Sequence, residues 1–153
     1  MDRKIVVTLV VALACGLVAA PVAARKPAKP KNRVVELAYS EPALGTAGLG
    51  VCFQGTSCLF YGPPAAGETS FSVEIEDDLG QPVPATVIQD TNGDGSYLAT
   101  DDLSVGICGE TEEPVEIEPG KAVSVWVWRA GATPPCPGTA TSGIATATFS
   151  RKP

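Results

Sequence analysis

From Val123 to Trp128 the chain reads VSVWVW. Val123, Val125 and Val127 alternate with Ser124, Trp126 and Trp128, a period of two in β-branched and aromatic residues that a helix would scatter around its circumference. The run is apolar on both faces, so it predicts the central strand of a sheet. Upstream, Val115 and Ile117 alternate with glutamates, and Glu118-Pro119-Gly120-Lys121 separates the two runs. Proline presets the dihedral of the second turn position and glycine tolerates the positive φ of the third. The pattern therefore predicts a type II turn joining a central pair of strands.

The start of the chain is of a different kind. Arg3 and Lys4 precede an apolar run over residues 5–14, which continues to a string of small residues ending at Ala24. A basic head, an apolar core and a small-residue exit describe a secretory signal peptide, helical in its core and cut after Ala24. The run is short for a hydrocarbon layer about 30 Å thick and contains Gly16 and Pro21, so no membrane span is expected in the mature chain. Cys15 follows Ala12-Leu13-Ala14, a faint likeness to a lipobox; the large Leu13 and the apolar residues after Cys15 weigh against a lipoprotein.

Export changes the composition that matters. Past Ala24 nine basic and sixteen acidic residues remain, and five of the nine basic ones fall in residues 25–33, RKPAKPKNR. From Val34 onward four basic residues face sixteen acidic ones, a net charge of −12. The organisation expected is a signal peptide at 1–24, a disordered basic Pro/Lys-rich linker at 25–33 and an acidic domain at 34–153. The linker holds no large apolar side chain with which to offset its ordering entropy. An acidic domain repels phosphate, which excludes nucleic acid as its partner.

Within 34–153 no window repeats at helical spacing, and Gly and Pro recur at intervals that suit short strands. Residues 33–39 place Val35, Leu37 and Tyr39 on one face. Residues 69–76 alternate Phe71, Val73 and Ile75 with Ser70, Ser72 and Glu74. Residues 83–89 read as an edge strand, because Pro84 cannot donate to a ladder. Short candidates at 51–53, 58–61, 97–99 and 103–107 and a C-terminal strand at 144–150 complete about eight strands. The fold class is all-β, an antiparallel β-sandwich or jelly-roll-like arrangement.

Four cysteines lie beyond the signal peptide: Cys52, Cys58, Cys108 and Cys136. An even number in an exported chain argues for disulfides, with three pairings open. Cys52 and Cys58 flank a small predicted hairpin, while Cys108 and Cys136 bracket the central pair, which favours 52–58 and 108–136. The chain has no histidine. That removes the usual general base, and no spacing singles out a pair of carboxylates, so an enzyme is not expected.

Two constellations remain. Asp90-Thr91-Asn92-Gly93-Asp94-Gly95 puts side-chain oxygens at alternate positions, the spacing with which a short loop wraps calcium, and Asp101 stands where a twelfth-position carboxylate would close the shell. Asn92-Gly93 is equally a strong turn between Val87-Ile88 and Tyr97-Leu98. Trp126 and Trp128 share the face opposite the valines. Exposed, they would form an aromatic ladder for stacking on sugar rings; covered, they would build a second apolar layer.

The run from Val115 to Val127, an alternating strand, a Pro-Gly turn and a valine-rich strand, resembles the end of bacterial pre-peptidase C-terminal-type β-sandwich domains, and the DTNGDG turn is similar to loops of such domains. The resemblance implies a secreted accessory module without catalytic residues. The expected function is thus a non-catalytic binding or accessory module, acting on an extracellular polymer or protein. The alternatives are a carbohydrate-binding protein using Trp126 and Trp128, and a small inhibitor presenting the Cys52–Cys58 hairpin.

Overall fold

The computed structural model describes residues 32–40, 42, 58–98, 100–129, 136, 138 and 142–151. The expected signal peptide, the basic linker up to residue 31, the strand at 51–53 and Cys52 lie outside the described residues. Among the described residues are eight strands: β1 (Arg33–Ser40), β2 (Cys58–Gly62), β3 (Glu68–Asp77), β4 (Pro84–Gln89), β5 (Leu103–Cys108), β6 (Val115–Glu116), β7 (Val123–Val127) and β8 (Ser142–Arg151). They form two four-stranded sheets, ordered β1-β8-β3-β6 and β2-β7-β4-β5, with every pair antiparallel. First pairs with last, second with seventh, third with sixth and fourth with fifth. This is one long four-rung hairpin rolled over on itself, the connectivity of a jelly roll.

The main core lies between the sheets. Phe71, Val73 and Ile75 of β3 stand beside Phe149, Ala147 and Ala145 of β8, so the two alanines give room beside large neighbours. Tyr61 reaches into that room from the other sheet and donates its hydroxyl to the Ala145 carbonyl at 3.0 Å. Its ring meets Phe71 edge-on at 5.6 Å, and Phe71 meets Phe149 at 5.0 Å. Each such side chain, fully buried, stabilises the fold by roughly 2–3 kcal/mol.

Two expectations are corrected. The runs on either side of Pro119-Gly120 are not a hairpin: β6 pairs with β3, while β7 lies in the other sheet between β2 and β4. A strand has two edges, and both edges of β7 are taken. The turn is nonetheless present, with Gly120 at φ 72°, and it serves as a crossing between sheets. The buried Gln89 side chain holds that crossing, donating to the carbonyls of Glu118 (2.9 Å) and Lys121 (3.0 Å) and accepting from the Glu118 amide (2.8 Å).

The second correction concerns β4, which is interior between β7 and β5 rather than an edge. Proline is accommodated because it is the first residue of the strand: the ladder to β7 begins at Ala85, and the Pro84 carbonyl accepts the Trp128 amide at 2.8 Å. At the far end of β5, Cys108 is bridged to Cys136 with their Cα atoms 5.4 Å apart. On the chain-entropy account a loop of this length contributes about 3.6 kcal/mol. Cys58 is also disulfide-bonded.

Candidate binding surface

The two sheets differ in what covers their outer faces. Along β3 the outward positions are Ser72, Glu74 and Glu76; along β8 they are Ile144, Thr146 and Thr148, and along β1 Val34, Glu36 and Ala38. Register turns these alternations into rows. Glu36 lies opposite Thr146, Thr146 opposite Glu74, and Glu74 bridges to Glu110, so one row crosses the sheet as Glu-Thr-Glu-Glu. The next row is Ala38, Ile144 and Glu76.

Apart from Glu110, these rows line a groove of about 600 Å³ with Asp77, Asp78, Ser142, Gly143 and Tyr39 at one end. A glycine is required at its floor. A Cβ on Gly143 would collide with the Glu76 carbonyl and stand 2.5 Å from the Tyr39 hydroxyl, the two groups that meet there in a 3.1 Å hydrogen bond. Burial, with the negative charges of Asp77 and Asp78 behind it, pushes the Tyr39 phenol from 10.0 up to about 12.

The carboxylates of the groove divide by employment. Asp77 is buried and accepts the amides of Leu79 (2.9 Å) and Gln81 (2.7 Å), which closes the β3–β4 turn. Asp78 accepts the Ser142 hydroxyl at 3.3 Å. Glu36, Glu74 and Glu76 point outward and are exposed, and among the described residues no lysine or arginine lines the groove. The ion pair of this sheet, Arg33 with Glu68 at 2.8 Å, sits beyond its other end, where Arg33 also covers the Phe149 ring at 3.8 Å. Such an open face, rich in acceptors and hydroxyls, can accept hydrogen bonds from donors that carry positive charge.

Trp126 and Trp128 are 3 % and 0 % exposed. The exposed aromatic ladder is therefore corrected: the indoles form a second apolar layer on the outer side of the β2-β7-β4-β5 sheet, packed with Ile88 and flanked by Cys58 and Tyr97. Their polar edges are satisfied within that layer. Trp126 Nε1 donates to Ser124 Oγ at 3.0 Å and Trp128 Nε1 to Thr86 Oγ1 at 2.9 Å.

The Asp90–Asp102 connection is the loop of the β4–β5 hairpin, so Asn92-Gly93 does not turn the chain directly into Tyr97-Leu98. Asp90, 6 % exposed, accepts three backbone amides, Gly93 (2.8 Å) and Asp94 (3.1 Å) on one oxygen and Gly95 (3.0 Å) on the other. Asp94 accepts the Ser96 amide at 2.7 Å. The loop is closed by Asp102, which takes the amides of Thr91 and Leu98, each at 3.0 Å, and not by Asp101. Among the described residues no three histidine, cysteine, aspartate or glutamate side chains gather as a metal-ligand set. The oxygens of Asp90 and Asp94 serve the loop's own backbone.

The outer-face row escaped sequence reading because Glu36, Glu74 and Glu110 are far apart in the chain and meet only through register. The outward glutamate on the clean alternation of residues 69–76 was the available signal. No family model, curated protein or solved structure matches this chain.

Proposed function

We propose that this chain is an exported, non-catalytic binding module that holds a cationic partner on the outer face of the β1-β8-β3-β6 sheet. The observation that carries the reading is the groove lined by Glu36, Glu74 and Glu76, with no basic residue among the described ones in its wall. The Cys108–Cys136 bridge supports an oxidising compartment, in keeping with the signal-like first 24 residues. The accessory role is also what the resemblance of residues 115–127 to secreted β-sandwich modules implies.

The test is binding of a fluorescent oligolysine peptide at low ionic strength. Wild type is expected to bind, with affinity that falls as salt rises. Glu36→Gln with Glu74→Gln weakens binding about tenfold, since two surface charge contacts together supply about 1.4 kcal/mol. The charge-matched variant Asp101→Asn with Glu118→Gln, away from the groove, retains wild-type affinity. Equal loss in both double variants, or no binding by wild type, overturns the assignment.

A further inference from the structure

Asn92-Gly93 carries a chemistry separate from ligand binding. The chain has two asparagines, Asn32 and Asn92, and only Asn92 precedes glycine, a residue with no side chain of its own to crowd its backbone nitrogen. The geometry points to Asn92 as a self-modification site at which Asp90 acts as the brake. In the reaction the Gly93 backbone nitrogen attacks Asn92 Cγ, forming the N–C bond of a five-membered imide. Its proton goes to a solvent base, and the side-chain nitrogen leaves as ammonia after taking up a proton. Water then opens the imide to aspartate or isoaspartate.

The loop treats the two reacting groups in opposite ways. Asn92 Oδ1, where charge develops during attack, accepts the Asp94 amide at 2.9 Å, and Nδ2 donates to Asp94 Oδ2 at 3.1 Å. The electrophile is thereby fixed and polarised. The nucleophile is restrained: the Gly93 N–H donates to Asp90 Oδ1 at 2.8 Å, and a carboxylate beside that nitrogen opposes loss of the proton that attack requires. Asn92 itself is exposed, so water reaches the imide. The product loses the Nδ2 donor and sets a second carboxylate against Asp94, which loosens the loop irreversibly.

Peptide mapping by mass spectrometry of the folded, full-length protein, held at mildly alkaline pH, tests this. The readouts are the one-mass-unit gain at Asn92 and isoaspartate-specific labelling, with Asn32 as internal reference. Wild type is expected to convert slowly when folded and much faster in urea. Asp90→Asn, which keeps an acceptor and removes its charge, is expected to speed conversion at Asn92 about tenfold, the rate equivalent of one charge-assisted hydrogen bond. Asp102→Asn weakens the loop through Thr91 and Leu98 yet leaves the Gly93–Asp90 contact, and is expected to change the rate less than twofold. If Asp102→Asn accelerates as much as Asp90→Asn, loop loosening sets the rate and the proposal fails. It fails equally if Asp90→Asn matches wild type, or if folded wild type converts as fast as the unfolded chain.

Discussion

The two sheets of this jelly roll each hold four antiparallel strands, yet one is closed on both sides at its central strands and the other is open on one. In β4 and β7 every residue is buried; in β3 and β8 burial alternates with exposure along much of each strand. The difference lies in what the outward positions hold. Ile88, Trp126 and Trp128 can build a second layer because Thr86 and Ser124 stand beside the indoles and take their N–H groups. Among the described residues no buried side-chain polar atom lacks a partner. Glu36, Glu74 and Glu76 could not be covered without counter-charges, and among the described residues that face holds none. Closure of a sheet face is thus decided by whether its polar atoms can be satisfied, as much as by how apolar it is.

The sharpest way to break this contrast is Trp128→Ala. Emptying a fully buried indole site costs about 3–5 kcal/mol, and the thermal midpoint is expected to fall by more than about 10 °C. A loss below about 1 kcal/mol in a urea titration would show that the second layer is decoration on a sheet held by the inner core alone. Thr86→Val sharpens the same point. It keeps the volume and strands the Trp128 N–H, at a cost of about 1–3 kcal/mol; a neutral result would mean that the indole has another acceptor.

Much of the closed sheet was legible in the sequence, because VSVWVW has an unambiguous period and apolar residues on both faces. So were the inward side of β3, the pairing of Cys108 with Cys136 and the layered all-β class. Partnership was less legible. The strands flanking Pro119-Gly120 look like a hairpin by proximity in the chain, and only the occupied edges of β7 send β6 to the other sheet. Gln89, which holds that crossing, sits in the sequence as an ordinary polar residue at a strand end. The alternating oxygens at Asp90 and Asp94 take backbone amides; a carboxylate and a nest of N–H groups attract each other as readily as a carboxylate and a cation do. The choice of Asp102 over Asp101 was invisible, since adjacent residues differ only in which way the backbone turns them.

The open sheet has its own electrostatic anchor, and pH separates it from the closed one. Glu68 is 4 % exposed and its carboxyl is held below the ordinary 4.5 by the Arg33 guanidinium, burial acting in the opposite sense and the Ala65 amide adding to the lowering. A depressed folded value means that this contribution is complete above the unfolded value and disappears as pH falls through the folded one. Wild type is therefore expected to lose stability on acidification below pH 4.5. Glu68→Gln is less stable by about 1–2 kcal/mol at neutral pH and shows a flatter acid limb in pH-dependent urea titrations. An unchanged limb would place the acid sensitivity elsewhere. At the alkaline end the raised Tyr39 value works with the opposite sign: stability present below pH 10.0 declines as pH rises toward about 12, and Tyr39→Phe removes that share of the decline.

The smallest expected effect bears most on what the open face is for. Glu74 lies between Thr146 on one side and Glu110 on the other, with Glu36 one strand further across. Like charges across neighbouring strands repel, and threonine suits an exposed strand position, so Glu74→Thr is expected to stabilise the protein by about 0.2–0.5 kcal/mol at low ionic strength. The gain should shrink in about 1 M salt, where the screening length is about 3 Å. Urea midpoints of both proteins at the two ionic strengths measure it. A carboxylate that the fold would be steadier without is one whose position stability cannot explain, whereas every outward residue of β7 is one the fold needs. If Glu74→Thr instead destabilises, and equally so at both salt concentrations, Glu74 is a structural residue, and the case for a binding face loses its central member.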